Sequence, residues 1–305
     1  AIRYHFGWVD PEGAPAEVDT GKRLRPALAV LSAEAVGAEV SVALPGALAV
    51  ELVHNFSLVH DDVVDGDTER RHRLTVWAAF GTDEALIAGD ALHTLAFQVL
   101  LAEADPPRVT AARRLVSATM AMIAGQAADM ALDDQSVVTL EDCLAMEAAK
   151  TGALLGYASS VGAVLADADP VTVDALDSYG RQLGLAYQAV DDVLGIWGEP
   201  EVTGKPAGND LRQRKKSMPV AVVLSAGGTA AADLGAVYGR RGALDDDEVA
   251  RAAAIIESAG GREATLAEAG RRLEAALVSL EGVELDSRAL RELEEVARFV
   301  VERDA

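Results

Sequence analysis

LPGALAVELVHNFSLVHDDVVDGD, at residues 44–67, begins as an apolar run at helical spacing and ends in carboxylates. Apolar residues that recur three and four positions apart predict a helix with a buried face. Asp61 and Asp62 interrupt that face, and an unpaired charge in an apolar environment is costly. Asp61 and Asp65 lie four residues apart on one helix face, where like charges repel unless a cation lies between them. Because carboxylate oxygens suit Mg²⁺, the stretch predicts a metal site near the end of a helix.

A second acidic pair lies in the same kind of context much later in the chain. Asp191 and Asp192 close the apolar stretch LGLAYQAV, residues 183–190. Two other acidic groups, at residues 133–134 and 245–247, lie beside turn-forming residues and are predicted to be surface or helix-start residues. The two pairs in matching apolar contexts together favour a metal site more strongly than either pair alone.

Composition excludes several classes of protein. The chain has 27 Lys and Arg against 49 Asp and Glu, and its formal net charge of −22 argues against a general nucleic-acid binder. Aromatic residues are only 4% of the chain, and the Ala- and Leu-rich remainder favours helices over a β-sandwich or barrel. The single cysteine, Cys143, excludes a disulfide scaffold and a thiolate zinc site, and we predict that it is a small apolar filler on a helix.

Helical periodicity continues through most of the sequence from Leu24 onward, without strand alternation. We therefore predict one all-α domain over residues 1–305, with ten or more helices. Residues 1–20 look irregular because they are interrupted by proline and glycine. Helix interruptions are predicted near Gly37 and Pro45.

Three further local features are predicted from the same sequence. Thr82 and Thr139 are plausible N-caps, and Glu141 and Asp142 fall in the first turn, where the helix dipole favours acidic residues. The basic stretch EVTGKPAGNDLRQRKKS, residues 201–217, is predicted to be the longest loop, and such loops are often lids or binding segments.

We expect a protein without a membrane span. The sequence contains no uninterrupted apolar run of about 18 residues, and AIRYHFGWVD at its start does not resemble a signal peptide. A cytoplasmic location is therefore the expectation.

Basic residues are bunched near both acidic pairs, although the chain as a whole is acidic. GKRLRP at residues 21–26 is one cluster, and RRHR at residues 70–73 follows the first acidic pair. The third, within residues 205–216, follows the second pair. Mg²⁺ can bridge carboxylates to phosphate oxygens while Arg and Lys bind the remaining oxygens, so this pattern predicts a diphosphate ligand.

Six motifs in order give the sequence a resemblance to the trans-isoprenyl diphosphate synthases, the polyprenyl synthetase family, and most of all to bacterial geranylgeranyl diphosphate synthases. The motifs are GKRLRP, LVHDDVVDGDTERRHRLT, GQAADM, KTGALLG, YQAVDDVLG and GKPAGNDLRQRKKSMP. They extend from Gly21 to about Pro219, and the remainder is assigned by continuity. The resemblance implies an antiparallel helix bundle around a central active-site cavity, the isoprenoid synthase fold, and a homodimer.

The resemblance also implies roles for individual residues. Two or three Mg²⁺ ions would be bound from opposite walls by Asp61, Asp62, Asp65, Asp191 and Asp192. The allylic diphosphate would be held by Arg70, Lys150 and Lys205. Isopentenyl diphosphate would be held by Lys22, Arg25, His54 and Arg71. Thr151 and Gln188 would face the developing carbocation, and Lys215 would lie on a closing loop. The catalytic set would be Asp61, Asp62, Lys150, Thr151, Gln188, Asp191 and Lys205.

Three positions bear on the metal site and on the product. The family usually has a third Asp where this sequence has Gly195, which removes one carboxylate from the second motif. Phe56 and Ser57 lie five and four residues before Asp61, about 6–7.5 Å along a helix. An aromatic residue there would act as a floor for the growing prenyl tail and resembles the pattern of geranylgeranyl diphosphate synthases.

Two alternative functions stay open at this point. A class I terpene cyclase would share the metal chemistry but would not need a second diphosphate site, which Lys22, Arg25 and Arg71 favour. A non-catalytic partner that regulates a synthase would be indicated by lost acidic ligands, and only Gly195 points that way.

Overall fold

The computed structural model describes residues 1–16, 18, 21, 23–133, 135, 138–199, 208–240, 242 and 244–302. The described chain is mostly helical, which confirms the prediction of an all-α protein. The chain divides into two compact units. The first comprises Ala1–Val116, Tyr157–Val173 and Glu284–Ala289, and the second comprises Ser117–Gly156, Asp174–Val283 and Leu290–Ala305.

The helices in the first half of the chain are α1 (Ile2–His5), α2 (Leu24–Ala35), α3 (Val40–Asp65), α4 (Val76–Phe80), α5 (Thr82–Leu100), α6 (Pro106–Asp133) and α7 (Leu140–Glu147). A π-helical turn at Ala148–Gly152 joins α7 to α8 (Ala153–Leu165). The remaining helices are α9 (Pro170–Trp197), α10 (Asn209–Arg212), α11 (Met218–Ala226), α12 (Gly228–Tyr238), α13 (Asp246–Ser258), α14 (Gly261–Ser279) and α15 (Ser287–Val301).

A small hairpin follows α3, although the sequence shows no strand alternation. Strands β1 (Glu69–Arg70) and β2 (Arg73–Leu74) pair antiparallel, with Arg70 opposite Arg73. Arg71 and His72 form the two-residue turn, and both have positive φ, 52° and 59°. Such turns favour Asn-Gly because most side chains are strained in this conformation, so the bulky pair obscures the hairpin signal.

In the first unit, α3 packs against α2 and α5. Small residues make the close packing possible: Ala43 and Ala47 of α3 are buried, as is Ala29 of α2. Gly162 of α8 approaches α2 most closely, and its backbone N–H donates to Ser32 Oγ at 2.9 Å. A Cβ at Gly162 would lie 2.6 Å from Ser32 Oγ and closer still to the carbonyl oxygen of Ala29.

Three local predictions are wrong in detail. Pro45 lies inside α3 and does not interrupt it. The proline removes one backbone N–H hydrogen-bond donor near the start of this long helix, and packing of α3 against its neighbours holds the helix together despite that loss. Thr82 is the first residue of α5 and Gly81 is its N-cap. Residues 1–20 include the short helix α1, whose Tyr4 packs with Val59, Val76 and other apolar residues.

Other local predictions are confirmed. Helices α2 and α3 are separate, and Gly37 between them has a φ of +74°. Thr139 caps α7 in a capping box with Asp142, and Asp245 caps α13 in the same way with Glu248. Of the predicted loop at residues 201–217, residues 201–207 lie outside the described chain, and Asn209–Arg212 form helix α10.

The core of the second unit lies among α9 to α13. Ile196, Leu211, Val220, Leu234 and Ile256 are buried in one cluster. Cys143 is buried with Leu132, Val138 and Ala221, and its thiol donates to the carbonyl oxygen of Lys216 at 2.9 Å. Burial raises the pKa of the Cys143 thiol, which agrees with its predicted role as an apolar filler.

Among the residues that the structure describes, two helices are long and apolar enough to cross a membrane by length and composition alone, α3 and residues 106–132 of α6. Core helices of globular proteins meet the same criterion, and α3 packs against α2 and α5 and carries Asp61, Asp62 and Asp65. These two helices therefore do not establish a membrane span.

The close approach at Gly162 gives a stability prediction. We expect Gly162→Ala to lower the free energy of unfolding by about 1–3 kcal/mol, because the new methyl group meets the backbone and a side chain of α2. Gly235→Ala is the matched control: within the described chain, no atom from beyond its own turns of α12 lies within 4 Å of a Cβ at this exposed position, so helix propensity should raise stability by up to about 1 kcal/mol. Urea unfolding of the two variants measures both, and equal effects would contradict the packing described for Gly162.

Candidate active site

The first acidic motif lies in the last turns of α3, as predicted. Asp62 is buried, with only 2% of its surface exposed, while Asp61 is partly buried and Asp65 is exposed. Arg70 of the hairpin binds Asp62 Oδ1 through Nε at 2.8 Å and Nη2 at 2.7 Å. This charge-assisted pairing compensates the burial of the carboxylate.

Four of the residues predicted to bind substrate form one basic cluster in the first unit: Arg25, His54, Arg70 and Arg71. Burial, followed by the charges of Arg25, Arg71 and Arg70, lowers the pKa of His54 well below its usual value. His54 is therefore a neutral imidazole among cations at neutral pH. A cluster with this surplus of positive charge is suited to an anion.

The segment before α2 supports this cluster. Gly21 has a φ of +113°, and a Cβ there would lie 2.6 Å from Arg71 Nη2. The guanidinium group of Arg71 therefore rests against a backbone position that only glycine leaves open. Lys22, predicted to bind isopentenyl diphosphate, lies outside the described residues.

A cleft of about 40 Å³ beside Asp62 includes residues that the sequence interpretation missed. His5 Nε2 donates to Asn55 Oδ1 at 2.8 Å, and Asn55 Nδ2 donates to the carbonyl oxygen of Glu51 at 2.8 Å. Burial and, to a smaller extent, the charges of nearby arginines lower the pKa of His5 to about 4, against the opposing effect of the hydrogen bond to Asn55. Arg73 lies over the Tyr4 ring at 4.2 Å and donates to the Tyr4 carbonyl oxygen. Of His5, Asn55, Tyr4 and Arg73, the sequence pattern pointed to Arg73 alone, as part of the basic run RRHR at residues 70–73.

Lys150 and Thr151 lie in the π-helical turn of the second unit, a rare conformation that often marks functional sites. Glycines on two neighbouring helices permit this turn: a Cβ at Gly125 would lie 2.6 Å from Lys150 Cα, and one at Gly184 would lie 2.8 Å from Gly152 Cα. Lys150 Nζ forms an ion pair with Asp129, the acidic residue of the GQAADM motif.

The second acidic motif lies near the end of α9, and its two members differ. Asp191 is partly buried, whereas Asp192 is 5% exposed. Thr151 Oγ1 donates to Gln188 Oε1 at 3.1 Å, and Gln188 Nε2 donates to Asp192 Oδ1 at 2.9 Å. The backbone N–H of Met218 donates to Asp192 Oδ2 at 2.7 Å. The structure therefore joins three of the predicted site residues in one hydrogen-bonded chain.

Glu147 is a buried acid that the sequence interpretation missed. It is 2% exposed, and its carboxyl group lies close to that of Asp192. Burial and the charge of Asp192 raise the pKa of Glu147. Burial likewise raises the pKa of Asp192 to about 6, against the opposing hydrogen bonds from Met218 and Gln188. The sequence pattern that identified the two acidic pairs, an acidic residue among apolar residues of a helix, could also have identified Glu147.

The remaining predicted residues are Lys205, Lys215, Phe56 and Ser57. Lys205 lies outside the described residues. Lys215 follows α10 and is partly buried, with its carbonyl oxygen accepting from Tyr238 Oη at 3.3 Å. Phe56 contacts the rings of His60 and His93, each at 4.9 Å between centroids, and Ser57 Oγ donates to the His54 carbonyl oxygen.

The donor set fits Mg²⁺, because both motifs offer hard carboxylate oxygens. Within the part of the chain that the structure describes, no group of three acidic, histidine or cysteine side chains is already arranged to hold an ion. Asp62 forms an ion pair with Arg70, and Asp192 accepts hydrogen bonds from Gln188 and Met218. Each unit thus pairs oxygen donors with cations or hydrogen-bond donors, a combination suited to metal-bridged phosphate groups.

Comparison with known proteins supports the same family. A family model described as polyprenyl synthetase matches residues 16–256. The chain is 47% identical over 308 residues to (2E,6E)-farnesyl diphosphate synthase of Mycobacterium tuberculosis, covering 100% of this chain and 86% of that protein. It is 44% identical over 278 residues to geranylgeranyl diphosphate synthase of the same organism, covering 91% and 79%.

A solved structure agrees with the sequence comparisons. The crystal structure of polyprenyl synthetase from Streptomyces coelicolor superimposes with a TM-score of 0.94 at 51% identity, covering 98% of this chain and 90% of that one. The predicted isoprenoid synthase fold is therefore confirmed. The chain belongs to the polyprenyl synthetase family.

Proposed function

We propose that the chain condenses isopentenyl diphosphate with an allylic diphosphate and that its product is geranylgeranyl diphosphate. Its relatives are curated prenyl diphosphate synthases, so the chain is a trans-prenyltransferase. The observation that carries the proposed condensation of two diphosphates is the pairing of an acidic motif with the basic cluster of Arg25, His54, Arg70 and Arg71 in the first unit.

Mg²⁺ would be held by Asp61, Asp62, Asp65, Asp191 and Asp192. Prenyl synthases of this family depend on Mg²⁺ in general. Bound Mg²⁺ supplies Lewis-acid stabilisation of the charge that grows on a departing diphosphate. We propose two or three ions, which matches the presence of two acidic motifs.

The basic residues would bind and orient the two diphosphates. Arg70 and Lys150 would hold the allylic diphosphate together with Lys205, and Arg25, His54 and Arg71 would hold isopentenyl diphosphate together with Lys22. Guanidinium groups bind phosphate oxygens in pairs, which fixes orientation as well as charge. Neutral His54 can offer one N–H to a phosphate oxygen, a contact that does not depend on charge.

Thr151 and Gln188 would face the carbocation that forms when the allylic diphosphate departs. The hydrogen bonds from Thr151 to Gln188 and from Gln188 to Asp192 fix the orientation of the side-chain oxygens. Fixed oxygen dipoles stabilise a developing positive charge without reorganising during the reaction. The double bond of isopentenyl diphosphate then attacks the cation, and a proton leaves toward the departed diphosphate.

The preference for geranylgeranyl diphosphate rests on Phe56. The rings of His60 on α3 and His93 on α5 pack against the ring of Phe56. Phe56 is therefore a fixed and bulky group on α3, more than one helical turn before the first acidic motif. The farnesyl and geranylgeranyl diphosphate synthases that resemble this chain at 47% and 44% identity leave both products compatible with the family. Farnesyl diphosphate is therefore the second candidate product.

The two alternative functions have less support. The curated relatives are named as diphosphate synthases, not as cyclases or regulators. Arg25 and Arg71 provide the basic residues that a second diphosphate needs and a cyclase does not.

We also propose a homodimer in the cytoplasm. Leu86, Ile87 and Leu95 on α5 expose 42%, 64% and 38% of their surfaces. Exposed apolar side chains on one helix fit a contact with a second copy of the chain.

Loss of metal-binding carboxylates tests the proposed reaction. Asp61→Asn and Asp191→Asn should each reduce consumption of isopentenyl diphosphate at least about 100-fold, because each removes a charge that holds Mg²⁺. Asp247→Asn is the matched control, since this exposed residue lies in the first turn of α13, and it should retain activity. Thermal unfolding should show that all three variants stay folded. Activity that survives both Asp61→Asn and Asp191→Asn would contradict the metal assignment.

Removal of the proposed floor tests the product assignment. Phe56→Ala should shift the product toward longer chains, because the tail gains room beneath the first motif. Phe80→Ala is the matched control: Phe80 packs edge-on against Tyr4 at 5.1 Å, and its loss should leave the product unchanged. Chromatography of the dephosphorylated products measures both effects, and an unchanged product distribution in Phe56→Ala would refute the floor.

A further inference from the structure

We infer that Tyr4 is a positioning residue for Arg70 and Arg71, the two hairpin arginines that the proposed function assigns to the diphosphates. Tyr4 acts through strand β2, which its side chain and backbone contact, and not by touching a diphosphate itself. The inference rests on the proposed function and concerns residues of the first unit alone. Tyr4 precedes all six sequence motifs, so the sequence interpretation gave it no role.

The hairpin that carries the two arginines needs support from outside. Its strands have two residues each, and the turn residues Arg71 and His72 both have positive φ. A two-stranded hairpin is only marginally stable by itself, and a strained backbone persists only where surrounding contacts hold it. The orientation of Arg70 and Arg71 therefore depends on the residues against which the hairpin packs.

One set of contacts closes the base of the hairpin. The carbonyl oxygen of Asp67, just before β1, accepts from Thr75 Oγ1 at 2.9 Å and from Trp77 Nε1 at 2.8 Å. These residues lie outside the two strands, so the contacts fix where the hairpin begins and ends. The strands themselves need a separate anchor.

Tyr4 supplies that anchor by contacting both residues of β2. Its Oη donates to the carbonyl oxygen of Leu74 at 2.8 Å. Arg73 Nη2 donates to the Tyr4 carbonyl oxygen at 3.1 Å, and Arg73 Cζ lies 4.2 Å from the centroid of the Tyr4 ring, within the range of a cation–π contact. Arg73 is the residue paired with Arg70 across the hairpin. Fixing β2 therefore fixes the strand from which Arg70 reaches Asp62.

Tyr4 is itself held firmly. It is 4% exposed, its ring meets that of Phe80 on α4 edge-on at 5.1 Å, and it shares an apolar cluster with Val76. The next residue, His5, is hydrogen-bonded to Asn55 of α3 at 2.8 Å. Tyr4 thus ties the hairpin to α3 and α4, the helices on either side of it in the chain.

The expected consequence is an effect on diphosphate binding. Without the contacts of Tyr4, Arg70 and Arg71 keep their charges, but their side chains have to be ordered when a diphosphate binds. This ordering costs affinity, because conformational freedom is lost at that moment. The KM for the diphosphates should therefore rise more than kcat falls.

Steady-state kinetics of the full chain tests this role, with isopentenyl diphosphate varied at saturating geranyl diphosphate. Tyr4→Phe removes only the hydrogen bond to Leu74 and should raise the KM for isopentenyl diphosphate about 3- to 10-fold. Tyr4→Leu also removes the ring beside Arg73 and should raise this KM further, at least about 10-fold. In both variants kcat should stay within about twofold of the wild-type value. The smaller loss in Tyr4→Phe would show that the ring alone restores part of the binding.

Tyr179→Phe is the matched control. Tyr179 is a buried residue of the second unit, and its Oη donates to the carbonyl oxygen of Leu293 at 2.7 Å. The variant loses the same kind of hydrogen bond, so its thermal stability should fall as in Tyr4→Phe, but the KM should not change. Isothermal titration with inorganic diphosphate and Mg²⁺ measures the binding loss of the Tyr4 variants without turnover.

Arg71→Ala separates failure of the inference from failure of the proposed function. If Arg71→Ala weakens diphosphate binding but both Tyr4 variants bind like Tyr179→Phe, the role of Tyr4 is overturned and the basic cluster stands. If Arg71→Ala also binds like the wild type, the assignment of the cluster to diphosphates is overturned together with the inference. A loss of thermal stability and kcat in the Tyr4 variants at unchanged KM would make Tyr4 a structural residue only and would overturn the inference as well.

Discussion

The burial of carboxylates among apolar helices is the constraint on which both acidic motifs depend. Each buried carboxylate needs compensation, because transfer of an unpaired charge out of water is costly. The first unit compensates Asp62 with Arg70, brought in by a hairpin whose turn residues have positive φ. The second unit compensates Asp192 with an amide and a backbone N–H, both neutral donors. As a result, the first motif lies beside a basic cluster, whereas the second lies near the further acid Glu147.

Close helix packing at glycine positions these groups. Gly125 and Gly184 admit the π-helical turn that carries Lys150 and Thr151, and Gly195 admits the carboxylate of Asp210. In each case the missing Cβ makes room for the backbone or a side chain of a neighbouring element. The small residues that make the sequence look like a generic helical protein are therefore what permits the specific arrangement of its site residues.

Periodicity and charge context predicted the all-α fold and the helical positions of the acidic motifs, because both depend on local spacing. Thr139 was predicted as a cap for the same reason. The hairpin was missed because its turn uses Arg71 and His72 where glycine or asparagine is usual. His5, Asn55 and Glu147 were missed because their surroundings depend on residues distant in sequence.

The most direct test of the central claim is a turnover assay on the purified wild-type protein. Labelled isopentenyl diphosphate and Mg²⁺ would be combined with dimethylallyl, geranyl or farnesyl diphosphate in turn, and the products would be dephosphorylated and separated. The account predicts that label enters geranylgeraniol and that a chelator abolishes incorporation. Failure to consume isopentenyl diphosphate, with release of a hydrocarbon from the allylic substrate alone, would contradict it.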